Sequence, residues 1–117
     1  MAATGRHGTR RLLVQALYQH QLAGHTAAEL TAMRVFIDRC IELHLLGKLD
    51  VPTVAKSKLL STDLQCRIID ECVQLHGGYG FMWEFPVARA WADARVQRIY
   101  AGTNEVMKVI ISRALLG

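Results

Sequence analysis

Between Asp50 and Gly77 the sequence keeps one rhythm: Ala55, Leu59, Thr62, Cys66, Ile69, Val73 and His76 return at alternating steps of four and three. A period of ~3.5 residues is the seam of a helix packed nearly parallel to its neighbours, and strand alternation does not fit it. Asp50 supplies the cap and Pro52 the first turn, while Gly77-Gly78 stops the helix where a left-handed residue is needed. One helix of this length commits most of a 117-residue chain to covering it, which leaves room for one small domain with one core.

The same spacing occurs earlier, through Ala23, Ala27, Leu30, Met33, Ile37, Cys40 and His44, and ends at Gly47. Together the two segments predict an antiparallel hairpin. After Gly80 the run Phe81-Met82-Trp83-Glu84-Phe85-Pro86 is aromatic and broken by proline. Val87, Ala90, Trp91 and Ala94 then give a third, shorter helix, with Arg95 and Arg98 placed for the negative end of its dipole. Thr103 caps a fourth helix that runs through Leu116. Val106, Val109, Ile110 and Ala114 share one of its faces and Met107, Ile111 and Leu115 another, so both sides are expected to be covered, one of them by another subunit. The expected fold is all-α, an antiparallel four-helix bundle over residues 22–117, preceded by a basic segment at 1–21 that is helical or disordered.

Composition supports a packed domain: 51% of residues are hydrophobic and 21% charged, with nine Gly and two Pro. Charge-free stretches fall short of the roughly 20 apolar residues that cross a bilayer, so no membrane span is expected. The net charge of +4 is local. Arg6, Arg10 and Arg11 precede the first acidic residue, Glu29, and from there onward 11 basic residues face 10 acidic ones. The acid-free start admits three readings: a solvated, frayed terminus, which ranks first, a mitochondrial transit peptide, or an arm that contacts nucleic-acid phosphates. The near-neutral remainder puts nucleic acid last. Cys40, Cys66 and Cys72 are odd in number and lack C-x-x-C spacing, which fits a reducing compartment and small core residues rather than a disulfide framework.

His7, His20, His25, His44 and His76 never pair at metal-ligand spacing with a supporting carboxylate or thiol, so no metal site is expected. His44 and His76 lie on the apolar seams and read as hydrogen-bonded core imidazoles. Neither a G-x-S-x-G elbow nor a Walker loop occurs. Two breaks remain. Gln74-Leu75-His76-Gly77-Gly78-Tyr79-Gly80 holds three glycines in four residues, which permits close approach of main chain to a ligand. A helix precedes it, so it is no Rossmann fingerprint, and the plainer reading is a helix stop. Ala101-Gly102-Thr103-Asn104-Glu105 opens a helix with free amides, a place for anions or polar ligand edges, and its plainer reading is an ordinary cap.

The segments 74–81 and 93–105, the second reading Asp93-Ala94-Arg95-Val96-Gln97-Arg98-Ile99-Tyr100-Ala101-Gly102-Thr103-Asn104-Glu105, together resemble the C-terminal helical domain of the flavin-dependent acyl-CoA dehydrogenases, most of all the long-chain branch. The likeness runs from about Thr31 to the end and weakens toward Leu22. It implies a domain that follows an N-terminal helical domain and a middle β-domain, neither of which is in this chain. Gln74, Leu75, His76, Gly77 and Gly78 are then assigned to the FAD of another protomer, and Thr103, Asn104 and Glu105 to a second FAD-contacting segment. Ala101 and Gly102 match the turn beside the acyl thioester, with Tyr100 as an acyl-pocket candidate. The implied reaction is α,β-desaturation of an acyl-CoA, in which a carboxylate takes the α-proton and FAD accepts the β-hydride.

Many family members place that carboxylate directly after the tyrosine, where this chain has Ala101. The isovaleryl and long-chain branches carry a small residue there and supply the base from an earlier helix, which would lie before residue 1. Arg6-His7-Gly8 is a poor substitute for that helix's R-x-x-F-G segment. Glu105 already has a structural role in its first turn, and Asp70 and Glu71 read as solvated helix surface. No catalytic residue is assigned. The expectation is a domain inactive alone that gives half of a flavin site to a homo-oligomer or larger dehydrogenase, cytoplasmic or in the mitochondrial matrix. The rivals are a non-enzymatic helical interaction module and a small subunit of a hetero-oligomeric dehydrogenase.

Overall fold

The computed structural model describes residues 27–117. The chain divides into two compact units, Met1–Ala32 and Met33–Gly117. Of the first, residues 27–32 are described and are helical; the expected boundary at 21/22, the basic arm and His7, His20 and His25 lie outside the described residues. All regular structure among the described residues is helical: α1 at 27–45, α2 at Val51–His76, a 3₁₀ turn at Gly77–Phe81, α3 at Pro86–Val96 and α4 at Asn104–Leu116. The expected all-α class is what the chain adopts. No helix among these residues is long and apolar enough to cross a membrane.

Glycine ends α1. Gly47 takes φ +66° and donates to the His44 carbonyl at 3.0 Å, while the Lys48 N–H reaches the Leu43 carbonyl at 2.8 Å, the paired bonds of a Schellman stop. Asp50 occupies the N-cap of α2 with extended backbone but makes no side-chain capping bond. The Thr53 hydroxyl, three residues on, instead holds its carboxyl below the ordinary value. Pro52 stands in the first turn.

α2 is the spine of the unit Met33–Gly117, because both α3 and α4 pack on it. Ala55 and Thr62 of the expected seam are buried, Leu59, Cys66, Ile69 and Val73 half-buried; Leu64, off the seam, is buried as well. Polar contacts fix where each neighbour sits. α4 meets the first half of α2, where Asn104 bonds Thr62, and α3 meets the second half, where the Cys66 thiol donates to the Ala94 carbonyl at 3.3 Å and the Trp91 Nε1–H to Asp70 Oδ1 at 3.0 Å. Asp70 is therefore a tether to α3 as well as helix surface. Arg95 stands in the last turn of α3, whereas Arg98 lies beyond it with its Nε 2.8 Å from Asp63.

One expectation changes: His44 and His76 are exposed, not core imidazoles. On α4, Met107, Ile110 and Ile111 are half-buried, while Val106, Val109, Ala114, Leu115 and Leu116 are exposed, so among the described residues of the single chain one face is covered and the other is bare. Among the described residues, the hydrophobic ones buried outright are Cys40, Ala55, Leu64, Ala88 and Ala94, mostly small side chains that let helix backbones approach closely.

Candidate functional site

α2 ends because Gly77 takes φ +61° with its N–H returned to the Gln74 carbonyl. The chain then tightens into the 3₁₀ turn Gly77–Phe81 instead of opening into a loop. The three glycines of this segment do different work. Gly77 supplies the positive φ. Gly80 is buried, and a Cβ there would collide with the Val73 carbonyl oxygen. Gly78 is exposed, lies outside the left-handed range, and a Cβ on it would meet nothing within 4 Å. Nothing among the described residues requires Gly78 to be glycine.

Around them Gln74 and His76 are exposed and Leu75 half-buried. The His76 Nδ1–H donates to the Cys72 carbonyl at 2.7 Å, which fixes the proton on that nitrogen and leaves Nε2 as the second ring position. Tyr79 tilts onto Phe85 with ring centroids 5.1 Å apart. Val73, Gly80, Phe81, Trp83, Ala88 and Trp91 line a largely apolar cleft of about 510 Å³ next to this turn. The aromatic, proline-broken segment was its only trace in the sequence.

The second break is more sharply bent. Ala101 takes φ +54° and Gly102 φ +89°, two successive left-handed residues. For Ala101 that conformation costs about 1–2 kcal/mol. Tyr100, Ala101 and Gly102 are all exposed. Thr103 then caps α4, its Oγ1 accepting from the Val106 N–H at 3.3 Å. Glu105 is exposed in the first turn, and its carboxyl is held below the ordinary value by its own backbone N–H, with the Thr103 hydroxyl, Lys108 and Arg98 adding to the effect. Such a carboxylate stays ionised and is a weak proton acceptor.

Asn104 behaves unlike its neighbours. It is 1% exposed, and its side chain is fully engaged inside the fold. Nδ2 donates to Thr62 Oγ1 and to Asp63 Oδ1, both at 2.9 Å, and Oδ1 accepts from Lys58 Nζ at 2.9 Å. Lys58 also donates to the Gly102 carbonyl at 2.6 Å. Sequence reading missed Lys58 and Asp63 and took Thr62 only as a seam position of α2. Their i, i+4, i+5 spacing puts them on one face of α2, but nothing local says that a residue more than forty positions away would dock there.

The structure does not bring the two breaks together. Lys58 holds the second, the first begins at the far end of the same helix, and the 18 residues from Lys58 to His76 span about 27 Å at 1.5 Å each. Within one chain the two breaks are therefore separate. Among the described residues no group of three His, Cys, Asp or Glu side chains is arranged to hold a metal ion.

Residues 1–116 match the family described as "Acyl-CoA dehydrogenase, C-terminal domain". The chain is 46% identical over 98 residues to the long-chain specific acyl-CoA dehydrogenase, mitochondrial, of Mus musculus, covering 84% of this chain and 23% of that protein. It thus spans about a quarter of the length of such relatives. An acyl-CoA dehydrogenase structure from Geobacillus kaustophilus superposes with a TM-score of 0.79 at 43% identity, over 98% of this chain and 29% of that one. Butyryl-CoA dehydrogenase of Megasphaera elsdenii gives 0.78 at 33% identity, over 84% and 26%. With its helices, its glycine turn and its capped fourth helix in place, the chain belongs to the acyl-CoA dehydrogenase family and is its C-terminal domain.

Proposed function

We propose that this domain contributes two half-sites to a flavin-dependent acyl-CoA dehydrogenase, each serving a different FAD of an oligomer. The observation that carries the reading is Gly78: its missing Cβ has no use among the described residues, and its exposed main chain offers a cradle that any side chain would fill. Gln74, Leu75, His76, Gly77 and Gly78 hold the nucleotide of a neighbouring protomer's FAD. Thr103 and Glu105 contact the second FAD directly, and Asn104 belongs to that segment from behind, through the backbone it fixes. Tyr100, Ala101 and Gly102 border the acyl thioester. The distance of about 27 Å between the half-sites supports their division between two cofactors.

When bound, FAD supplies the hydride acceptor for α,β-desaturation of an acyl-CoA. The residues of this chain bind and orient. Ala101 has no titratable group, and Glu105 is held ionised at the helix start, so the proton-accepting carboxylate comes from elsewhere in the complete enzyme. The domain by itself is inactive. An antiparallel bundle, a basic segment at 1–21 distinct from it, and residence in the compartment of the mitochondrial relatives belong to the same proposal.

The exposed apolar face of α4, with Val106 and Val109 each 47% exposed, favours a second reading in which the chain is an interaction module or the small subunit of a hetero-oligomeric dehydrogenase. Titrating FAD into the purified chain while following flavin fluorescence separates the two. Saturable binding that weakens at least about tenfold in Gly78→Val, a loss of ~1.4 kcal/mol, is the expected result. Equal binding by the variant, or none by either protein, would leave the interaction module standing.

A further inference from the structure

We infer that Lys58 and Asn104 are positioning residues that hold Ala101 and Gly102 in left-handed backbone and so pre-form the turn beside the acyl and flavin groups. The biochemical weight of this inference rests on the proposed function; its structural content does not. The strap has two ends. On one, the Lys58 ammonium donates to the Gly102 carbonyl at 2.6 Å and to Asn104 Oδ1 at 2.9 Å, two charge-assisted bonds from a single group. On the other, the Asn104 N–H reaches back to the Arg98 carbonyl at 3.1 Å, closing residues 98–104 into a loop. Asp63 joins both, accepting from Asn104 Nδ2 at 2.9 Å and lying 2.8 Å from Arg98 Nε. Thr62, which accepts from Asn104 Nδ2, donates to the Lys58 carbonyl at 2.8 Å, so the donors and acceptors form one closed network on a single stretch of α2.

The turn needs such a strap. Ala101 at φ +54° is the one non-glycine residue with positive φ among the described residues, and Gly102 at φ +89° stands in backbone that strains any L side chain, although the only atom a Cβ there would crowd is the movable end of Met107. A strained conformation of this kind persists only where the surroundings over-determine it. Both carbonyl and side-chain anchors of the turn converge on Lys58 and Asn104. Their role differs from simple helix-to-helix adhesion, because Lys58 grips the turn itself and not the body of α4.

Lys58→Met keeps the aliphatic stem and removes the ammonium. In the isotopically labelled full chain, the expected result is that the Ala101 H–N/Hα coupling and Cα and Cβ shifts move away from left-handed values, while the α2 and α3 signals stay in place. FAD affinity, read by flavin fluorescence, should fall about tenfold. Lys58→Arg, which keeps a charged donor, should recover most of both. Left-handed Ala101 shifts in a folded Lys58→Met chain would overturn the inference. So would an Asn104 amide in the unmodified chain that exchanges as fast as an open loop, a measurement that decides the matter even if the variant does not fold. Absence of FAD binding by the unmodified chain would refute the proposed function alone, with the Ala101 signals still deciding this inference.

Discussion

Gly80→Ala isolates what the glycine turn needs for its own folding. The new Cβ would strike the Val73 carbonyl oxygen, with the Val73 carbonyl carbon and the His76 Cβ each 3.1 Å away. Two of these atoms are main chain in the last turns of α2, so they cannot swing aside as the end of a flexible side chain would. Overpacking costs about 1–3 kcal/mol, and a clash with backbone belongs in the upper half of that range. At roughly 4 °C per kcal/mol for a chain of this size, the thermal midpoint read by circular dichroism should fall by about 8–12 °C. Gly77→Ala has open space around its Cβ but keeps φ +61°, a penalty of about 1–2 kcal/mol. Gly78→Ala meets neither obstacle, and with a less flexible unfolded chain it should leave stability unchanged or raise it by up to about 1 kcal/mol. The order of damage on folding is thus Gly80, Gly77, Gly78. Bulk at Gly78 should hurt FAD binding while sparing the fold. If Gly78→Ala melted as early as Gly80→Ala, Gly78 would be a packing residue, and the argument that its bareness faces a ligand would fail.

Asn104→Ala removes three side-chain hydrogen bonds and leaves Lys58 and Asp63 short of a partner in a part-buried site, so urea unfolding should report a loss of about 2–4 kcal/mol. Acid should loosen the helix starts: the carboxyls of Asp50 and Glu105 are both held below their ordinary values of 3.8 and 4.5, so the stability they lend is present above those values and lost as pH falls through the lower folded ones. An acid titration followed by amide exchange should find the first turns of α2 and α4 opening before their interiors, and Glu105→Gln should remove the α4 part of that response.

Helix ends were legible because glycine and proline carry local, one-residue signals: the stops at Gly47 and Gly77, Pro52 in a first turn and Thr103 as a cap all fell where the sequence put them. The histidines were misread for a physical reason. A periodic seam identifies a face of a helix, but not how far along that face a neighbour extends, and His44 and His76 both sit at the exposed last turns of their helices. The same limit leaves open which face of α4 meets this chain, because its apolar residues look alike whether they meet this chain or another. The 3₁₀ turn depends on Gly80 fitting against Val73, a contact between turns that periodicity does not encode. Least legible was the Lys58 network. Lys58 and Asp63 look like ordinary polar residues of α2, Thr62 like one more seam position and Asn104 like part of a helix start, until folding places them within hydrogen-bond distance.

The two proposed half-sites also share a cause. Past Pro52, α2 contains neither glycine nor proline up to His76, so nothing in its sequence invites a kink, and its length fixes the separation of whatever its ends carry. One end offers the ledge of Lys58, Thr62 and Asp63 on which the Ala101 turn is strapped; the other releases the chain into the glycine turn. Changes at 97–103 can reshape the first without moving the second, and changes at 77–81 the reverse. A lesion that weakens both at once must therefore act through α2 itself, whereas Lys58→Met and Gly78→Val should each disable one proposed half-site and leave the other intact, which is what the proposed division between two cofactors requires.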